Sequence, residues 1–141
     1  MGKGDWAKEL ELDPFTTGFV LGLLVGEGHF GGSGQSARVV VKMHVRHVQL
    51  LSWLAKTFPG SKLYGPYRHD GRHFMQWVAS GPVLYDVIVP LVGRHLNSLD
   101  DHVTQRFRQM CDRYGLWWYP DEPSGRLSIR DGGVSYAAIS A

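Results

Sequence analysis

Apolar and polar positions change period several times along this chain, and each change marks an element. Asp13-Pro14 opens the first, an aspartate suited to capping a helix followed by a proline at the first helical position. The apolar stretch behind it ends at Glu27, with Gly28 as a stop, which predicts a helix over Pro14 to Glu27. Gly31-Gly32-Ser33-Gly34 predicts a flexible loop, with a short strand only near His29-Phe30. From Arg38 to Arg46 the period falls to two. Val39, Val41, Met43 and Val45 point one way and Arg38, Val40, Lys42, His44 and Arg46 the other, a strand with one apolar and one mainly basic face. Leu50, Leu51, Trp53, Leu54 and Phe58 then fall at helical spacing, and Pro59-Gly60 ends that helix. Lys62 to Arg68 and Arg72 to Ala79 are strand-like runs around His69-Asp70-Gly71, a hairpin with Asp-Gly at its tip. Gly81-Pro82 starts a helix expected to reach about Val92, and Asp100 to Tyr114 is an amphipathic helix with Val103, Phe107, Met110 and Tyr114 on one face.

The order is helix, strand, helix, hairpin, helix, helix, which predicts an α+β domain with helices on one face of an antiparallel sheet and basic side chains on the other. The expected boundaries are a polar N-terminal arm over 1–12, the domain over 13–114 and an aromatic, glycine-rich tail over 115–141.

At 141 residues the chain has the length of one ordinary domain. The apolar run from Phe19 to Val25 is too short to span a bilayer, and the acidic N-terminus is unlike a signal peptide, so no membrane association is expected. A single cysteine, Cys111, excludes an internal disulfide and a cysteine-rich zinc site and points to a reducing compartment, the cytoplasm or the interior of an organelle. The net charge of +2 is modest, but its distribution is not. Between Gly28 and Tyr85 the one acid is Asp70, against seven Arg and Lys and five His. Such segregation fits a polyanionic partner, and it also fits a plain solvated face.

The first helix is unusual. Gly18, Gly22 and Gly26 recur every four residues and so lie along one stripe. Each costs about 1 kcal/mol relative to alanine, and packing must offset the sum. Close approach of another backbone along the stripe would do so, supplied either by the same chain or by a second subunit. Glu27 then ends the most apolar stretch of the protein, where the helix dipole mildly repels a carboxylate. It is either a solvated helix end or a metal-binding carboxylate held by tight packing.

The segment from Phe19 to Phe30 reads FVLGLLVGEGHF. It resembles the motif of the LAGLIDADG homing endonucleases in its Gly-Glu-Gly-x-Phe form, with Gly22 at the first motif glycine, Glu27 at the essential acid and Gly28 at the closing glycine. Val25 stands where the motif usually has a second acid. The downstream pattern matches the αββαββα order of that family, so the resemblance covers roughly Pro14 to Tyr114. It implies that motif helices of two copies pack through Gly18, Gly22 and Gly26. Glu27, with the backbone of Gly26, would hold Mg²⁺ or Mn²⁺ beneath double-stranded DNA. Arg38, Lys42, His44, Arg46, Arg68 and Arg72 would contact that DNA from the sheet.

Where the family often carries Gln at the end of the second strand, this chain has Arg46 and His47. Where many members carry a Lys at the later helix, the nearest basic residues are Arg94 and His95. His47, Arg94 and His95 are therefore the candidate catalytic partners of Glu27. The expected function is a homodimeric, Mg²⁺-dependent, site-specific DNA endonuclease. A catalytically degenerate DNA-binding protein and an RNA-splicing maturase remain as alternatives. Other constellations carry less: His69 and His73 flank a turn rather than share a helix face, and Gly31 to Gly34 lacks the Gly-Lys-Ser/Thr of a phosphate loop.

Overall fold

The computed structural model describes residues 12–96 and 99–116. The expected N-terminal arm, but for Leu12, and the aromatic tail from Trp117 onward lie outside the described residues.

Helix α1 spans Pro14–Glu27, and the Asp13 carboxylate accepts the Thr16 N–H at 2.7 Å as its cap. That hydrogen bond holds the Asp13 pKa below its ordinary value. Strands β1 (Gly28–Ser33) and β2 (Ser36–His44) form a hairpin turning at Gly34, whose φ of 63° suits glycine. A 3₁₀ turn over Val45–His47 leads into α2 (Val48–Thr57). Strands β3 (Lys62–His69) and β4 (Arg72–Ala79) form the second hairpin. Its tip residues Asp70 and Gly71 both take positive φ, 53° and 78°, as a two-residue turn between twisted strands requires. A π-helical turn over Leu84–Ile88 runs into α3 (Val89–His95), and α4 spans Asp101–Tyr114.

The four strands form one antiparallel sheet in the order β1-β2-β4-β3. Helices α1, α2 and α4 pack on it. The core between helices and sheet holds Val20, Leu24, Val39, Val41, Leu51, Leu54, Trp77, Ala79, Ile88 and Phe107. Trp77 is fully buried, and its indole N–H donates to Ser61 Oγ at 2.8 Å, so the ring enters the core without an unpaired donor. The α+β class and the alternation in β2 are as the sequence predicts.

Three expectations change. Gly31 to Ser33 are not loop but the second half of β1, paired with Arg38, Ala37 and Ser36. The glycines answer crowding: a Cβ at Gly32 would strike the Tyr114 hydroxyl and lie 2.6 Å from the Ser36 carbonyl oxygen, and one at Gly31 would lie 3.1 Å from the His29 imidazole. Strand β2 ends at His44 rather than Arg46. There His44 Nδ1 accepts the Arg46 N–H at 3.0 Å and caps the 3₁₀ turn, drawing Val45 and Arg46 off the ladder. The helix after Gly81 runs past Val92 to His95, and its first part is widened: the Val89 N–H reaches back to the Leu84 carbonyl, five residues away, just before Pro90, which has no N–H to donate.

Candidate nucleic-acid interface and acidic helix end

The sheet face away from the helices follows from the register. Opposed residues in an antiparallel pair project to the same side. Phe30, Val39, Val41, Trp77 and Ala79 are buried against the helices, so the alternate positions form the open face. These are His29 and Gly31 on β1, Arg38, Val40, Lys42 and His44 on β2, and Arg72, Phe74, Gln76 and Val78 on β4. The Lys42 ammonium sits 4.8 Å from the centre of the Phe74 ring, which confirms that the two share this face. Arg38 is half-buried, and its Nε makes no hydrogen bond among the described residues.

Strand β3 departs from simple alternation. Tyr64 opposes Gln76 and Tyr67 opposes Phe74, so three steps on β3 match two on β4 across a bulge at Gly65-Pro66. Lys62 and Tyr64 lie on the open face ahead of the bulge, the bulge brings Tyr67 and His69 to the same face with Arg72, and the Tyr67 and Phe74 rings pack at 5.5 Å. Arg68 opposes His73 and is turned to the other side. Of the six residues expected on a DNA-facing surface, Arg38, Lys42, His44 and Arg72 are therefore gathered on one face. Arg46 sits on the 3₁₀ turn at its end, and Arg68 leaves it. Period-two reading from Arg68 puts Lys62 and Tyr64 on the same side but not Tyr67 and His69, because a strand bulge shows only once the partner register is known. The Gly-Pro inside an otherwise strand-like run was the signal available.

Beyond the end of β2, a groove of about 420 Å³ is lined by Phe15, Phe19, Arg46, His47, Leu50 and Trp53, among others. Nearer the sheet, a 310 Å³ hollow is lined by Lys42, His44, Arg72, His73 and Phe74, with Met43 and Gly71. The His44 pKa is lowered, first by loss of hydration and then by the charges of Arg46, His73 and His47.

Helix α1 has two apolar faces. Val20, Leu21 and Leu24 are buried against the sheet. On the opposite side Phe15, Gly18, Phe19, Gly22 and Gly26 are exposed, Phe15 at 77 % and Phe19 at 42 %. A Cβ placed on Gly18, Gly22 or Gly26 would meet nothing within 4 Å. Of the two partners open for the stripe, another element of the same chain is thus not found among the described residues. Glu27, also exposed, ends this helix. Gly28 follows with extended geometry, donating its N–H to the Leu24 carbonyl, and a Cβ there would stand 2.6 Å from that carbonyl oxygen.

The other candidates sit on other elements. His47 is exposed at the start of α2. Arg94, exposed, and His95, half-buried, occupy the last turn of α3, where cations complement the helix dipole. Among the described residues no three His, Cys, Asp or Glu side chains converge as a metal site. No helix among them is long and apolar enough to cross a membrane.

No protein-family model matches the chain, and no curated protein matches it. Solved structures do. A crystal structure of the meganuclease I-SmaMI bound to uncleavable DNA matches with a TM-score of 0.54, and a point mutant of I-SmaMI with 0.55. Each is 10% identical, and the match covers 88% of this chain but 40% of the I-SmaMI chain. This chain therefore has the fold of the LAGLIDADG homing endonucleases, and it spans about two fifths of the length of that neighbour.

Proposed function

We propose that this chain forms half of a divalent-metal-dependent endonuclease, in which two copies join through α1 and cut double-stranded DNA lying across the two open sheet faces. The observation that carries the reading is the exposed face of α1. An apolar helix face belongs in a core, yet Phe15, Phe19 and the glycine stripe of this one are left exposed by the described residues. Three helical glycines whose added Cβ would meet nothing among the described residues are a cost without a return until a second backbone lies along them. A second copy of the same stripe, related by a two-fold axis, is self-complementary.

That pairing brings two Glu27 side chains toward the axis. One carboxylate does not make a divalent-cation site, but two, with the Gly26 carbonyls and DNA phosphate oxygens, supply the hard oxygen ligands that Mg²⁺ or Mn²⁺ takes. Bound there, the cation would stabilise the attacking and leaving oxygens of phosphodiester hydrolysis. The residues of the chain do the rest. Lys42, Arg72, Lys62 and Arg38 hold the phosphates, and the sheet enters the major groove, where each base pair presents a distinct pattern. Fold similarity to a DNA-bound meganuclease supports the reading.

The test is Glu27→Gln, which keeps shape and removes charge. The wild type should cleave a selected duplex with Mg²⁺ or Mn²⁺ present, and the variant should bind that duplex at least as well and leave it intact. A variant that cuts at the wild-type rate would place the chemistry elsewhere. A wild type that binds and never cuts would leave a DNA-binding protein.

A further inference from the structure

His44 is exposed at the end of β2, on the open sheet face, and its ring is held by its own neighbours. Its Nδ1 accepts two hydrogen bonds from Arg46, from the backbone N–H at 3.0 Å and from the guanidinium Nε at 3.3 Å. An imidazole nitrogen that accepts carries no proton, so the neutral ring must carry its one proton on Nε2. Charging the ring would put a proton on Nδ1, between two donors, and would add a positive charge to a crowded neighbourhood. Arg46 is hydrogen-bonded to the ring, the His73 ring lies 6.4 Å away, His47 follows on the same turn, and Lys42 and Arg72 line the same hollow. Among the described residues no carboxylate lines that hollow.

We propose that His44 is a base-reading residue: Arg46 fixes it as a neutral imidazole whose Nε2–H is a permanent donor, matched to an acceptor on a base edge in the major groove, guanine O6 or a purine N7. The inference rests on the proposed DNA-cutting function and adds a specificity-determining residue and its positioning residue, Arg46. A freely rotating histidine can present either a donor or an acceptor and so discriminates poorly. One locked as a donor accepts guanine and rejects the cytosine amino group, which is itself a donor. Lys42 and Arg72 beside it supply sequence-independent attraction to phosphate, so the two kinds of contact separate experimentally.

Two measurements test this. Long-range proton–nitrogen NMR of the imidazoles in the free protein near pH 7.5 (roughly one unit above the ordinary histidine pKa) should show His44 protonated at Nε2 and bare at Nδ1. Arg46→Met should raise the pH at which the ring titrates. A neutral ring protonated at Nδ1 overturns the proposal, whatever DNA does. The second measurement is selection from a randomised duplex pool, with divalent metal chelated, for the wild type and for His44→Ala. The variant should lose about tenfold discrimination at one base pair in each half-site, equal to about 1.4 kcal/mol, and keep its preference elsewhere. A uniform loss of affinity over all sequences would mean that His44 meets phosphate, and an unchanged preference would mean that it meets nothing; either overturns the proposal. A wild type that binds duplex DNA but selects no sequence overturns base reading and leaves cutting to the Glu27 test, whereas one that binds no duplex at all removes the DNA-cutting function itself, and base reading falls with it.

Discussion

Replacing Gly22 by alanine separates the two things that a helical glycine can be doing. In the single chain a Cβ at Gly22 has no neighbour within 4 Å among the described residues, so the added methyl meets no clash there and gains the full helix propensity, about 0.8–1.0 kcal/mol. For a domain of roughly 100 residues this raises the melting temperature by about 4–8 °C per kcal/mol. Between two copies the same methyl has the opposite effect. It enters the contact twice, once from each chain, and over-packing of this kind costs about 1–3 kcal/mol per site. Association should therefore weaken tenfold or more for Gly22→Ala and be lost for Gly22→Leu. Calorimetry at a concentration where the chain is monomeric, and sedimentation across a range of concentrations, measure the two effects independently. The reasoning fails if Gly22→Ala melts lower as a monomer, since something in the same chain would then cover the stripe. It fails equally if Gly22→Leu associates as the wild type does.

Gly28→Ala is the contrasting substitution: its Cβ would stand 2.6 Å from the Leu24 carbonyl oxygen, a backbone atom that cannot swing aside, so the variant should lose about 1–3 kcal/mol in thermal or urea unfolding. DNA binding should weaken steeply with salt, and Lys42→Ala should lower the slope of log affinity against log salt by about 1 while leaving base preference unchanged; titrations at several salt concentrations that give no slope would remove DNA as the partner.

Local chemistry made much of this fold readable. Asp13-Pro14 starts α1, Asp70-Gly71 turns the second hairpin, and the valines of β2 alternate into the core, because each signal depends on a residue and its immediate neighbours. Features set by distant partners stayed hidden. Gly32 looks like a loop residue until Tyr114, more than eighty positions away, is seen to need its space. Tyr64 and Tyr67 share a face only because β4 counts two residues where β3 counts three. Arg46 looked like a strand residue because nothing in a period of two announces that His44 will turn back and cap the chain. At the candidate site, the glycines and Glu27 were visible as a pattern, while the choice between an internal and an external partner for the stripe required knowing what the rest of the chain covers.

No residue separates α1 from β1: Glu27 ends the helix and Gly28, its N–H tied to Leu24, already pairs with Val41. The acid is consequently phase-locked to the pleat. Inserting one residue at this joint would swap the two sides of β1 and swing the carboxylate through a hundred degrees of helix at once, so length there is not adjustable. The side chains of Arg38, Lys42, Gln76 and Tyr64, by contrast, project from the open face of the sheet, and exchanging one of them leaves the backbone register at the joint as it is. The molecule is thereby divided into a rigid hub and exchangeable teeth, an arrangement in which the side chains of the open face can be replaced without retiming the end that carries the acid.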